Sequence, residues 1–384
     1  MDLATAERLV GPEGAAALEL AAAQPDPGSL TAATRLRNAH DADLAAAALG
    51  QVALRRKAVT KFGAEVGELF LTADGLEQAS RPIVSQWRAE QFVDRGAERV
   101  VDLGCGIGAD AMAMARTGLE VVAVELDPVT AVLARANLQP LGVEVRCADA
   151  TEVAGDLLTA GVGVFCDPAR RTGQGRTWQV DAFRPPYDFV TGLLPGRVGC
   201  VKFGPGMPYA LIPADVDTTW ISANGDVVEA SLWSSGTDRR SALLLPGGGT
   251  LEALPGTAAV GSPGNFLIEP DPAVIRAGAV DTLAARLFAR RLDPQIAYLT
   301  TDRPAATPYG TSFEVLDRMP WKEKTVRAWV RDHEIGTLEI KKRGIDIDPA
   351  TLRKRLRPSG PHAATLVITP SVDGATVLVV RRLP

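Results

Sequence analysis

Val101-Asp102-Leu103-Gly104-Cys105-Gly106-Ile107-Gly108 is the stretch whose reading decides the fold of this chain. A short apolar run ends on an acid, breaks into alternating glycines and passes into an alanine-rich segment from Ala109 that reads as a helix. Glycines at such a turn let the backbone approach a bound ligand where a side chain would clash, and the helix behind them directs its first N–H groups at the same place. Outward from this loop, Val-rich runs alternate with helical stretches, the pattern of a parallel sheet built from βαβ units. The runs are Val100–Leu103, Glu120–Glu125, Val143–Cys147, Val162–Cys166 and Val198–Phe203. Thr218–Ser222, Val227–Trp233 and Ala242–Leu245 follow around Asn224-Gly225, a dipeptide suited to a tight hairpin, and predict an antiparallel end to the sheet.

The glycines alone leave two ligands open, because Gly104, Gly106 and Ala109 also fit the G-x-G-x-x-G/A dinucleotide fingerprint. Their neighbours separate the two. Asp102 precedes the first glycine, where a carboxylate attracts the ammonium of a methionine moiety and would repel a pyrophosphate. Glu125 ends the next strand and suits the two ribose hydroxyls, as an acid in a dinucleotide enzyme also would. Asp149, after the third strand, suits an adenine amino group. The set favours S-adenosylmethionine.

With these residues in view, Val101–Gly108, Val124-Glu125-Leu126-Asp127-Pro128, Ala148-Asp149-Ala150 and Asp167-Pro168 resemble the successive motifs of class I methyltransferases. The resemblance implies an α/β, Rossmann-like methyltransferase sheet, mostly parallel with an antiparallel end, flanked by an N-terminal helical region and a C-terminal α+β unit. It also implies cofactor contacts from Asp102, Gly104, Cys105, Gly106, Gly108, Glu125, Leu126, Asp149 and Ala150. A second resemblance covers more of the chain. Gly75-Leu76-Glu77-Gln78-Ala79-Ser80, Asp167-Pro168-Ala169-Arg170-Arg171 and Leu338-Glu339-Ile340-Lys341-Lys342-Arg343-Gly344 are similar to bacterial methyltransferases with a C-terminal THUMP-like domain, a name that implies RNA binding by analogy. Gln78 is the leader residue expected to close over the cofactor.

The expected organisation is a helical region over 1–92, the methyltransferase domain over 93–248, a small ferredoxin-like α+β unit over 262–310 and the THUMP-like domain over 311–384. The glycine- and proline-rich run from Pro246 to Gly264 marks the boundary. Beyond it a helix is expected over Val274–Arg290, a strand over Gln295–Thr300 and a capped helix over Pro349–Leu356.

Asp167-Pro168 falls at the carboxyl end of the fourth strand, where such sheets hold their ligands. Asp167 is the candidate acceptor for an amine N–H, Pro168 shapes the loop and removes a backbone donor, and Arg170 completes the catalytic set. An aromatic commonly follows this acid in amino-methylating enzymes, and this chain has Ala169, Arg170 and Arg171 instead. Arginine planes interleaved with Trp178, Phe183 and Tyr187 suit splayed nucleotides, and Arg170, Arg171 and Lys202 are the substrate candidates near the pocket. Cys166 reads as a buried strand residue, which disfavours cysteine-dependent methylation at carbon.

With 46% hydrophobic and 23% charged residues and a net charge of −5, the composition is that of a soluble globular protein. The four cysteines have no metal-ligand spacing, no apolar run reaches membrane-spanning length, and the start has no secretory character, so neither metal nor membrane is expected and the location is read as cytoplasmic. The charge is uneven: Arg318 to Arg357 holds 12 Lys/Arg against 6 Asp/Glu. Lys341 and Lys342 in that stretch are the candidate phosphate contacts for an RNA partner, rRNA or tRNA. The expected activity is methylation of RNA at a base nitrogen. The alternatives are a methyltransferase for a small molecule or protein, and an RNA-binding protein with a vestigial cofactor site.

Overall fold

The computed structural model describes residues 1–170, 178 and 180–383. It divides into two compact units, Met1–Asp217 with Ala230–Asp238, and Thr218–Glu229 with Arg239–Pro384.

The first unit opens with α1 (Leu3–Val10), α2 (Pro12–Ala22), α3 (Leu30–Arg37) and α4 (Ala42–Phe62). Asp2, Ser29 and Asp41 cap three of them by accepting backbone N–H bonds, and Pro12 starts α2 where a missing donor costs nothing. Their alanines and leucines pack together, with Leu9, Ala17, Leu36, Leu44 and Ala48 fully enclosed. Then come α5 (Ala73–Gln78), capped by Thr72, and α6 (Pro82–Asp94).

β1 (Arg99–Leu103), α7 (Ala109–Arg116), β2 (Glu120–Glu125), α8 (Pro128–Leu138), β3 (Glu144–Cys147), α9 (Ala150–Leu157) and β4 (Gly163–Cys166) alternate as expected. A two-residue ladder, β5 (Ala169–Arg170) with β6 (Phe183–Arg184), precedes α10 (Tyr187–Gly192) and β7 (Gly199–Phe203). β1 pairs in parallel with β2 on one side and β4 on the other, placing Asp102 beside Ala123 and Phe165. The chain order reverses at β1, which opens a crevice at the strands' carboxyl ends. β7 continues the parallel run beside β4, and the end is antiparallel, Cys200 opposite Trp233.

β8 (Val216–Ala223) and β9 (Asp226–Ser234) flank Asn224-Gly225, both at positive φ as a tight hairpin turn requires. In the second unit, β10 (Arg240–Leu245) runs parallel to β8, a departure from a wholly antiparallel finish, and β11 (Gly249–Glu252) turns back on β10. The glycine-proline run carries a strand, and the second compact unit takes in residues on both sides of it, with Leu254 bonded to Thr282 and Ser222 to Asp271.

β12 (Phe266–Pro270) leads to α11 (Pro272–Ala277) and α12 (Val280–Leu287), which replace the one helix expected over 274–290 because Gly278 takes a left-handed conformation and ends the first. β13 (Arg290–Arg291), β14 (Leu299–Thr301), β15 (Gly310–Pro320), α13 (Glu323–Asp332), β16 (Ile335–Lys342), α14 (Pro349–Leu356), β17 (His362–Ser371) and β18 (Gly374–Arg382) complete the unit. The strands expected in separate segments, 262–310 and 311–384, form one seven-stranded sheet, ordered β13-β14-β12-β15-β18-β17-β16. The eleven-residue β15 is long enough to pair with β12 at one end and with β18 along its length. Val326 and Val330 of α13 and Leu352 and Leu356 of α14 cover one face, over Leu338, Ile340 and Leu366. Among the described residues no helix is long and apolar enough to cross a membrane.

One buried ion pair anchors the first unit. Arg88 of α6 is fully enclosed, bonds the Asp110 carboxylate at the start of α7, and stands 4.7 Å from the Phe165 ring centroid. Ser80 donates to the same carboxylate at 2.8 Å. Arg88→Met strands that acid in the interior and is expected to cost about 3–5 kcal/mol in a urea melt. A loss below about 1 kcal/mol would mean the pair is not load-carrying.

Candidate cofactor and methyl-transfer site

The glycine loop after β1 is shaped by β2. Gly104 and Cys105 donate to the Val124 carbonyl at 2.8 and 2.9 Å, and Gly106 donates to Glu125 Oε2 at 2.9 Å. Gly104, Gly106 and Gly108 all have positive φ. At Gly108 a Cβ would also stand 2.9 Å from the Leu138 side chain, so glycine is required twice over.

The loop forms the floor of a cavity of about 690 Å³, within the range of small-molecule sites. Asp102, Gly104, Cys105, Gly106, Glu125, Leu126, Asp149, Ala150, Gln78 and Asp167 all line it. Gly108 stands just behind, as the N-cap of α7. Glu125 also bonds the Asp127 N–H at 2.9 Å, and burial raises its pKa. Asp149 caps α9 through Oδ1, which accepts from the Thr151 N–H at 2.8 Å and its hydroxyl at 2.6 Å; these bonds lower its pKa. Burial pushes the Cys105 thiol up, with Asp102 and Glu125 adding to the effect, so it is no thiolate. Cys166 is enclosed inside β4.

At the far end, Asp167 Oδ2 is bonded to Lys202 Nζ, from β7, and Lys202 also donates to the Gln78 carbonyl at 3.2 Å. Lys202 is thus engaged by the candidate catalytic acid, a partner that the sequence left unspecified. Pro168 is buried and Arg170 lies in the short ladder opposite Phe183. Arg171 lies outside the described residues.

The aromatics expected to stack on bases largely anchor their own loop. Phe183 is buried, with Trp178, Tyr187 and Phe203 ring centroids at 5.9, 6.3 and 5.4 Å. The Tyr187 hydroxyl donates to the Leu211 carbonyl. Arg184 donates to the carbonyls of Asp181 and Phe183 at 3.0 and 2.7 Å. In the second unit, Lys341 is half-buried and ion-paired with Glu269 at 2.7 Å, which removes it from the cations disposed toward a phosphate. Lys342 is exposed.

Sequence reasoning missed the residues that hold the cavity wall. Asn137, buried in α8, donates to the carbonyls of Phe70 and Ile107, each at 2.9 Å, and accepts the Phe70 N–H at 2.7 Å. Its only signal was an amide in an otherwise apolar helical stretch. Lys61 donates to the carbonyls of Leu76 and Glu77 at 2.6 and 2.9 Å. Burial, then the charges of Lys202 and Arg81, pull its ammonium down to about 8.

The cavity fits S-adenosylmethionine on two counts. Among the described residues, seven acidic side chains line it against one guanidinium, which suits a sulfonium and an ammonium and opposes a pyrophosphate. Both oxygens of Asp102 are buried with no hydrogen-bond partner, a costly state that a cation offsets. Burial, reinforced by Asp110 and Asp167, pushes the Asp102 carboxyl well above its ordinary range. In the cofactor-free protein it therefore keeps its proton to higher pH, and a bound ammonium drives that proton off. Affinity for S-adenosylmethionine is expected to rise with pH between the bound and the cofactor-free pKa, with proton release readable by calorimetry in buffers of different ionisation enthalpy. Asp102→Asn should abolish the release and weaken binding about ten- to hundredfold; a wild-type protein that releases none would overturn the assignment.

Three families match this chain: a methyltransferase domain over residues 100–181, a THUMP domain-like family over 310–382, and a domain of unknown function over 2–58. The chain is 34% identical over 330 residues to an uncharacterized S-adenosylmethionine-dependent methyltransferase of Mycobacterium tuberculosis, covering 82% of this chain and 90% of that one. Over 75 residues, 19% of this chain and 34% of the other, it is 41% identical to a protein-L-isoaspartate O-methyltransferase of Marinobacter nauticus. Its fold is that of a crystal structure from Porphyromonas gingivalis assigned to the methyltransferases, with a TM-score of 0.79 at 23% identity over 96% of this chain and 97% of that one. The glycine loop, its acids and these relatives agree: the chain belongs to the class I S-adenosylmethionine-dependent methyltransferases with a THUMP-like C-terminal domain.

Proposed function

We propose that this methyltransferase acts on RNA, at a base nitrogen, and that its C-terminal unit binds the phosphate backbone. The observation that carries the reading is the basic surface of α13 and α14, where Lys324, Arg327, Arg331, Lys354, Arg355 and the following Arg357 are all exposed. Glu323 pairs with both Arg327 and Arg355, at 2.7 and 3.3 Å, which orders two guanidiniums while leaving the surface cationic. Such a surface on a chain of net charge −5 is suited to a polyanion. The likeness to THUMP domains supports the same partner.

The cofactor supplies an electrophilic methyl group. The remaining task is to hold the acceptor about 3–3.5 Å from it, so positioning supplies much of the rate. Asp102, Glu125 and Asp149 are placed to hold the cofactor's ammonium, ribose and adenine ends. Asp167, paired with Lys202, is placed to accept the N–H of an exocyclic amine as that nitrogen becomes positive. Pro168 holds the turn beside it, and Arg170 is the nearest substrate candidate in sequence.

Incubation with labelled cofactor and total bacterial RNA is expected to place label in RNA; label confined to protein or metabolites would sink the reading. Asp167→Ala should slow transfer about a hundredfold while leaving S-adenosylmethionine affinity within a fewfold. Charge reversal at Lys354 or Arg357 should weaken RNA binding regardless of sequence and lower the slope of log affinity against log salt by about 0.7–0.9 per residue. Unchanged salt dependence would move the RNA face elsewhere.

A further inference from the structure

Thr72, Gly75 and Gln78 form one wall of the cofactor cavity, on a segment with little regular structure beyond the six residues of α5. Its main chain is held by side chains from other elements. Arg55 donates to the Leu69 carbonyl at 2.8 Å, and Asn137 makes two bonds to Phe70. Gln51 both accepts the Leu71 N–H, at 2.9 Å, and donates to its carbonyl. Lys61 takes the next two carbonyls down the segment's far end, Leu76 and Glu77, and Lys202 takes Gln78. Gln51, Arg55 and Lys61 all stand on α4.

We propose that Lys61 is a positioning residue for cofactor binding, which holds the last turn of α5 against the glycine loop, and that carrying this clamp is a task of the N-terminal helices. Contact between the two is direct, since a Cβ on Gly75 would stand 2.5 Å from Ile107 Cγ2. The last carbonyls of a helix have no partner within it, and an ammonium satisfies them with charge-assisted bonds stronger than those of a neutral donor. A half-buried charge beside Lys202 and Arg81 is costly to keep, and the two carbonyl bonds offset that cost. The clamp extends to the reacting end of the cavity, because Lys202 bonds both Gln78 and Asp167.

The proposal rests on the cofactor alone, so failure of the RNA assay leaves it standing. Its test is titration calorimetry of the full chain with S-adenosylmethionine, beside thermal melts and amide hydrogen exchange of the cofactor-free protein. Lys61→Met is expected to weaken binding about tenfold, with the melting temperature nearly unchanged and with faster exchange at Leu76 and Ala79 but not along α4. Lys61→Arg, which keeps the charge and the donors, should return affinity to within about twofold of the parent. Lys61→Gln serves in place of the methionine variant should that fail to fold. Parental affinity in the methionine or glutamine variant would overturn the proposal, as would an arginine variant as weak as either.

Discussion

The carboxylate of Asp102, enclosed at the end of the central strand without a hydrogen-bond partner, is the constraint around which the first unit is arranged. An unpartnered acid in the interior either keeps its proton or meets a cation. The turn beyond it therefore has to stay narrow and open to ligand, which three glycines in left-handed conformations provide. Glu125 secures that turn from the neighbouring strand, and Arg88, enclosed and paired with Asp110, supplies a positive charge that opposes the rise in the Asp102 pKa. Sheet order, loop shape and buried ion pair serve one electrostatic arrangement.

Much of this was legible from sequence because it is local. Each Val-rich run coincides with one strand to within a residue, and Asp102, Glu125 and Asp149 fall at or just beyond strand ends. What was not legible depends on pairing across distance. Nothing near Lys202 in the chain points to Asp167, 35 residues earlier, or to the Gln78 carbonyl, 124 residues earlier. Lys341 looked like a surface cation in a basic run, yet the fold brings it to Glu269, 72 residues earlier, on a strand that is not its neighbour in the sheet. The arginine-aromatic loop misled for a related reason: composition cannot separate rings offered to a ligand from rings packed on one another, and Phe183 packs.

The second unit shows the same limit at the scale of strands. Proline and glycine between 246 and 264 read as a boundary because they break helices and strands locally, while hydrogen bonds from Leu254 to Thr282 and from Ser222 to Asp271 tie residues of the run and of its flanks into one compact unit. Where a signal was local again, as in Asp348 capping the helix from Pro349, sequence and structure agree.

The acid lining of the cavity has a consequence for turnover. S-adenosylmethionine carries one more positive charge than the thioether left after its methyl group departs, so the acid-rich lining formed by the described residues favours the first over the second. The chemical step thereby weakens the hold on its own by-product.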